Sequence, residues 1–377
     1  MGSASGRDLL LGEEMVDARS RTVHHRSEGT SRRWVLDEQP TGREYQSIMA
    51  LQFVCGHSIF HRACVTLCLL TLWFPHIARS ADSPLSIYTQ VSTTKAMLLN
   101  IQFQSVQNGW AVGSGGTILR TVDGGKKWKR VTSGTSSLLT SVFFVDPLNG
   151  WVAGATGLLK RTTDGGNSWS SQSLDTQQPL YGIYFTSPTV GWVVGGGGTI
   201  FHTTDGGDNW VEQASGTTAA LYATHFRSDR TGTVVGALGT VLSTDDGGIT
   251  WTPHETQHAV TLFDVVFTDS RTGWAVGNAG ALFQTIDGGA TWVDHTLPCG
   301  KTCTRLTDLL KVRFTSPRDG WIVGERGMFY HTTDAGLTWS EGKSITPHSL
   351  FGLSFPDSSA GWASGENGII VHLQPTH

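Results

Sequence analysis

One pattern recurs along the chain at a spacing near 41 residues: Gly-Trp, an apolar pair, a glycine-containing turn, an apolar run ending in Thr, Asp-Gly-Gly and a second Trp. Versions run Gly109–Trp128, Gly150–Trp169, Gly191–Trp210, Gly232–Trp251, Gly273–Trp292 and Gly320–Trp339, and a seventh starts at Gly361 and stops after its third segment. Trp110, Trp151, Trp192, Thr233 (in place of Trp) and Trp274 are each 41 apart, as are Trp321 and Trp362. Only the step from Trp274 to Trp321 is longer, at 47, and its six extra residues fall around Cys299–Thr304. Evenly spaced copies bury their apolar faces against one another, so the chain from about residue 98 to its end forms one architecture. Helical repeats of similar length would not tolerate 47 glycines. A period near 41 instead fits a four-stranded propeller blade.

The strands can be placed within each unit. Seven residues before the Gly-Trp tryptophan there is always a phenylalanine: Phe103, Phe144, Phe185, Phe226, Phe267, Phe314 and Phe355. Positions two and four earlier are mostly apolar, as in Val142 and Thr140, or Val265 and Phe263, which marks a first strand with one packed face. Trp-Val-Ala-Gly makes the second strand and Leu-Leu-Lys-Arg-Thr-Thr the third, before Asp164-Gly165-Gly166 turns the chain into a fourth. Asp-Gly suits such a turn because glycine accepts positive φ and the carboxylate can accept from nearby backbone N–H groups. Blade six reads Asp334-Ala335-Gly336 instead. Seven first strands but only six such turns leave the last blade one strand short. The alternating segment Leu85–Val91 has no other partner, so it is expected to complete that blade and close the ring. The fold expected is all-β: a seven-bladed β-propeller over 81–377, with four antiparallel strands per blade.

The residues before 81 read differently. Residues 1–48 carry mixed charge without apolar period, as a disordered segment or an over-extended start upstream of Met49. Residues 49–80 resemble a signal peptide: His57, His61 and Arg62, an apolar run Ala63–Phe74, then Ala78-Arg79-Ser80 before the expected cut. The run has 12 residues, short of a membrane span, although a buried helix or an uncleaved anchor is the other reading. Export would remove Cys55, Cys64 and Cys68 and leave Cys299 and Cys303, for which a disulfide is favoured over a metal site.

The net charge of −4 offers no cationic excess, so a nucleic-acid partner is not expected. Twelve of the 14 tryptophans hold repeat positions, which makes them core material. His202, His331 and His372 share one third-strand position with Arg120, Arg161, Ser243 and Gln284; being in different blades they are expected to stand apart, as solvated residues and not as a metal site. First-strand residues opposite the packed face, among them Asn100, Gln102, Phe143, Tyr184, His225, Asp264, Lys311, Arg313 and Ser354, should face the channel or the next blade. There Asp264 and Lys311 stand level in adjacent blades, placed for an ion pair. On the turns between strands two and three, Asn278, Glu325 and Glu366 replace Ser114, Ala155, Gly196 and Ala237, and Arg326 replaces Gly115, Thr156 and Gly197. With Lys301 in the Cys299–Cys303 loop, these departures from a regular scaffold are the candidate partner-binding residues.

The motif Thr-x-Asp-Gly-Gly-x-x-Trp resembles the Asp-box (BNR repeat) of sialidases and other glycan-active propellers. That resemblance implies an arginine cluster and a tyrosine nucleophile with a carboxylate partner. Arginines and non-box acids are sparse in the repeats, and Tyr181 and Tyr222 fall on the packed face of the expected strands. No enzyme is therefore expected, and a glycan-binding or glycoside-hydrolase propeller is the alternative.

GWAVGSGGTILRTVDGGKKW and its sister repeats, over about residues 83–373, resemble the photosystem II stability/assembly factor family. The resemblance implies a non-enzymatic, cofactor-free propeller of the thylakoid lumen or periplasm, associated peripherally with a membrane and binding a membrane-protein precursor from the extracytoplasmic side. It also implies an arginine-rich binding patch, whereas Arg120, Arg161, Arg313 and Arg326 are scattered across the blades.

Overall fold

The computed structural model describes residues 85–256, 258–297 and 307–375. The expectations for 1–48 and 49–80, the Cys299–Cys303 disulfide and Lys301 lie outside these residues. Seven four-stranded antiparallel sheets follow one another as the blades of a propeller. Blade two shows the plan: Leu139–Phe144 innermost, then Gly150–Gly154, Leu159–Thr162 and the short outer strand Ser170–Gln172. The seventh sheet is Leu350–Asp357, Ala360–Gly365, Ile370–Pro375 and, from the other end of the chain, Leu85–Gln90. Leu85 pairs with Pro375 and Gln90 with Ile370, so the ring closes as expected and no blade is left an unfinished sheet.

The packing that repeats around the ring centres on the first-strand phenylalanine. Trp110 of blade one lies flat on Phe144 of blade two, ring centroids 3.7 Å apart. The same stack joins Trp151 to Phe185 and Trp192 to Phe226, both at 3.5 Å, and Trp362 to Phe103 at 3.7 Å. The tryptophan after each blade's own Asp-box meets the phenylalanine edge-on, as Trp169 does Phe144 at 5.8 Å. Both contacts require a bare backbone beside the ring. A Cβ on Gly150 would lie 2.6 Å from Phe144, which explains the glycine that precedes tryptophan.

The Asp-box locks the turn that holds the second tryptophan. In blade two, Gly165 and Gly166 take φ of 71° and 78°. Thr162 Oγ1 donates to Asp164 at 2.7 Å and accepts from the Gly166 N–H at 2.9 Å. Asp164 also accepts from the N–H groups of Asn167 and Ser168, at 2.9 and 3.0 Å, and from the Ser168 hydroxyl at 2.6 Å. The turn then binds its neighbour: Trp110 Nε1 donates to Gly165 O at 3.2 Å, and Trp151 and Trp192 repeat this to Gly206 and Gly247. In blade six Ala335 sits at φ 65°, a position that costs a residue with a side chain about 1 kcal/mol.

Two seams depart from the plan. Where Thr233 replaces tryptophan, the guanidinium of Arg227 lies 3.9 Å from the centroid of Phe267 and takes over its face. At the closing seam, Gln90 donates to Gly124 O at 2.9 Å and accepts from Trp128 Nε1 at 3.4 Å. Gln213, three repeat periods along, makes the same pair of bonds to Gly247 and Trp251. The closing strand thus carries an internal seam's clamp.

Each first strand also contains a feature that simple alternation misses. A bulge follows its first residue, between Leu98 and Asn100, Leu139 and Ser141, Leu180 and Gly182, and so on through all seven blades. The fully buried residue is therefore Leu180, and Tyr181 turns away from the packed face.

Two outcomes test this packing. Gln90→Ala should cost about 1–2 kcal/mol in urea denaturation, the worth of two net hydrogen bonds, and no loss would show that the other strand contacts alone close the ring. The carboxylates of Asp164, Asp205, Asp246 and Asp287 are held down to about 2 by hydrogen bonds from Ser168, Asn209, Thr250 and Thr291 respectively. Since the folded values are depressed, their contribution is complete above the ordinary value of 3.8 and is lost as pH falls toward 2. Melting followed from pH 5 to about 2 should show this decline, and Asp164→Asn should flatten it.

Candidate functional site

The innermost strands surround an axial cavity of about 270 Å³. Asn100, Gln102, Phe143, Tyr184, His225, Asp264, Lys311, Arg313 and Ser354 all line it. Tyr181 and Tyr222 line it too, which corrects their assignment to the packed face. The bulge shifts alternation by one residue beyond Leu180 and Leu221, and the two rings meet at 5.1 Å.

Neighbouring first strands do not share a sheet, so their backbone groups need other partners. Channel side chains supply them. The Gln102 amide donates to Phe144 O at 3.0 Å and accepts from Phe144 N–H at 2.5 Å. Ser354 Oγ accepts from the Phe103 N–H at 2.9 Å, across the closing seam. In blade five Asp264 does the same with charge: its Oδ2 accepts from the Val312 N–H at 3.1 Å and from Arg313 Nη1 at 2.6 Å, while Oδ1 accepts from Lys311 Nζ at 3.1 Å. Gln102, Ser354 and Asp264 are thus inter-blade clamps.

Asp264 is 3% exposed. Burial works to raise its pKa, but Arg313, Lys311 and the Val312 N–H outweigh it and hold the carboxyl below the usual range. Burial lowers the Lys311 pKa, with Asp264 opposing and Arg313 adding to the shift. His225 is pushed down to about 3 by burial, then by Arg313 and Arg227, so its ring is neutral at physiological pH. Phe143, Tyr184 and His225 form a continuous aromatic wall, with centroids 5.3 and 4.9 Å apart.

The turns between strands two and three carry the other candidates. Asn278 Oδ1 accepts from the Thr261 N–H at 2.8 Å, Glu325 from Asp308 N–H at 3.4 Å and Glu366 from Ser349 N–H at 3.3 Å. Ser114 makes the equivalent bond to Met97 N–H, so an acceptor here holds the lead-in to the blade's own first strand. The remaining carboxylate oxygen of each glutamate is uncommitted to backbone among the described residues, and Glu366 faces His348 at 3.7 Å. Arg326 is exposed at the tip of its turn with φ 57°. The structure spreads these residues over blades five, six and seven and does not gather them into one cluster with the channel.

His202, His331 and His372 pair in register with Trp192, Trp321 and Trp362. They rest on those rings, at 4.7, 3.7 and 4.7 Å, and His372 is only 7% exposed. The expectation of solvated residues fails for His372 and holds only in part for His202 and His331, because a cross-strand neighbour of tryptophan is partly covered by its ring. Arg120 and Arg161 sit over Trp110 and Trp151 in the same way and reach Asn167 and Asp208 of the next blade. Among the described residues no group of three or more His, Cys, Asp or Glu could hold a metal ion, and no helix is long and apolar enough to cross a membrane.

Asp264→Asn should cost about 3–5 kcal/mol in urea denaturation, because it leaves Lys311 and Arg313 facing each other without their counter-charge. A loss below about 1 kcal/mol would mean that water already neutralises the pair.

The profile described as photosynthesis system II assembly factor YCF48 matches residues 82–180, 126–215 and 254–345, together more than half of the chain. A comparison with curated protein sequences found no match. Among solved structures, a YCF48 bound to D1 peptide is 23% identical, with 77% of this chain and 96% of that one covered at a TM-score of 0.64. YCF48 from Cyanidioschyzon merolae is 22% identical, with 78% and 100% covered at 0.66. A virginiamycin B lyase from Staphylococcus aureus superposes as well, at 0.67 over 77% and 99%, but with 14% identity. At such identities the superpositions speak for the propeller alone, whereas the repeated profile match also reads the sequence. By that match, this chain belongs to the photosystem II assembly factor YCF48 family.

Proposed function

We propose that this chain is an exported, non-enzymatic propeller that holds a precursor subunit of a membrane-protein complex, from the extracytoplasmic side, while the complex is assembled. The observation that carries the reading is the threefold family match along the propeller. The family member solved with a D1 peptide supports a peptide segment of a membrane protein as the thing held. The signal-like segment 49–80 supports export to a periplasm or thylakoid lumen, with peripheral attachment to the membrane. Asn278, Glu325, Arg326 and Glu366, with Lys301 of the adjoining insertion, are the proposed contact residues, because the regular scaffold varies there. A disulfide between Cys299 and Cys303 would brace that insertion.

The test is capture of partners from the membranes of the source organism with the tagged chain, identified by mass spectrometry. A combined Glu325→Gln, Arg326→Asn, Glu366→Gln variant keeps the turn acceptors and a residue suited to positive φ, so its melting temperature should hold. Capture should fall by about tenfold or more, as expected when several contacts of about 1 kcal/mol are removed together. Unchanged capture would take the contact away from this face. Recovery of no membrane protein by the unaltered chain, or turnover on a panel of glycosides, would overturn the reading itself.

A further inference from the structure

The axial cavity holds a charge that the fold does not balance. Asp264 is the only acid among its lining residues, and both its oxygens are occupied, by Lys311 on one side and by Val312 N–H and Arg313 on the other. Two cations therefore stand against one carboxylate. Arg313 bonds only through Nη1, to Asp264 and to Val312 O, so among the described residues its Nε and Nη2 donors have no partner. Lys311 makes one bond and keeps two ammonium protons. The Arg313 side chain is 33% exposed, and its charge acts on both Tyr184 and His225 of the aromatic wall. Elsewhere in the channel Gln102 commits both amide atoms to Phe144, and Ser354 Oγ accepts from the Phe103 N–H.

We propose that this cavity is a binding site for a small aromatic carboxylic acid. The carboxylate would take the unused donors of Arg313, which match it in a fork of parallel bonds, with Lys311 beside it. The ring would lie against Phe143 and Tyr184, with Tyr181 and Tyr222 lining the same space. A volume of about 270 Å³ equals that of about nine water molecules, which suits a free acid of roughly ten heavy atoms. Low-dielectric walls strengthen a single uncompensated charge and favour a monoanion over a neutral guest. The site lies on the axis, and its occupancy does not depend on which face of the propeller holds a protein partner.

Isothermal titration of the full chain with benzoate, benzamide and acetate tests the assignment. Benzoate should bind saturably and about tenfold or more tighter than either benzamide, which lacks the charge, or acetate, which lacks the ring. Arg313→Gln should weaken benzoate by about tenfold or more. Tyr222→Ala lies outside the ion network and guards against a misfolded Arg313 variant: it should weaken benzoate while leaving acetate unchanged. Absence of saturable benzoate binding, equal binding of benzamide, or benzoate affinity unchanged in the folded variants would each overturn the proposal.

Discussion

The contact on which this molecule depends is a phenylalanine held between two tryptophans. One, from the preceding blade, lies on its face, and the other, from its own blade, meets its edge, as around Phe144 and Phe185. The glycine before tryptophan makes room for the ring, and the Asp-box positions the second indole. A blade has no core of its own thickness, so its stability is mostly the sum of two seams. That is why the phenylalanine recurs in every unit, and why a ring closed by Leu85–Gln90 needs the clamp of Gln90 where an internal seam has Gln213.

A second constraint acts at the axis. First strands of adjacent blades lie side by side without forming a sheet, and side chains satisfy the backbone between them. Gln102 and Ser354 do so as neutral groups, and Asp264 does so as a buried anion that must be paired. The departures from the repeat gather around blades four to six: Thr233 with its substitute Arg227, the neutral His225, and the Asp264, Lys311 and Arg313 triad. A charged clamp costs desolvation that a glutamine would not, which points to a use for the surplus positive charge beyond holding two strands together.

Much of the fold was legible because its period is 41 and its marker residues are rare. Tryptophan and phenylalanine at constant spacing located every blade, and the missing seventh Asp-box revealed where the ring must close. The candidate site was less legible. The bulge after the first residue of each inner strand moves Tyr181 and Tyr222 to the channel, and neither local composition nor alternation announces it. Its signal was present only in the leucine that recurs just before them, at Leu180 and Leu221, which competes for the packed face. The third-strand histidines were readable in principle, since antiparallel register sets each one opposite a tryptophan.

By itself the sequence determined the number of blades, the order of strands and the tryptophans and phenylalanines of the core, because these follow from spacing and from apolar burial, which are local and periodic. Tertiary structure alone decided what the exceptions do. Whether Asp264 meets two cations or one depends on distances between blades 47 residues apart in the chain. Whether Glu325 and Glu366 are bare tips or turn acceptors depends on which N–H lies within reach. Such pairings are set by angles and separations of a few ångströms between segments distant in sequence, and no period in the chain encodes them.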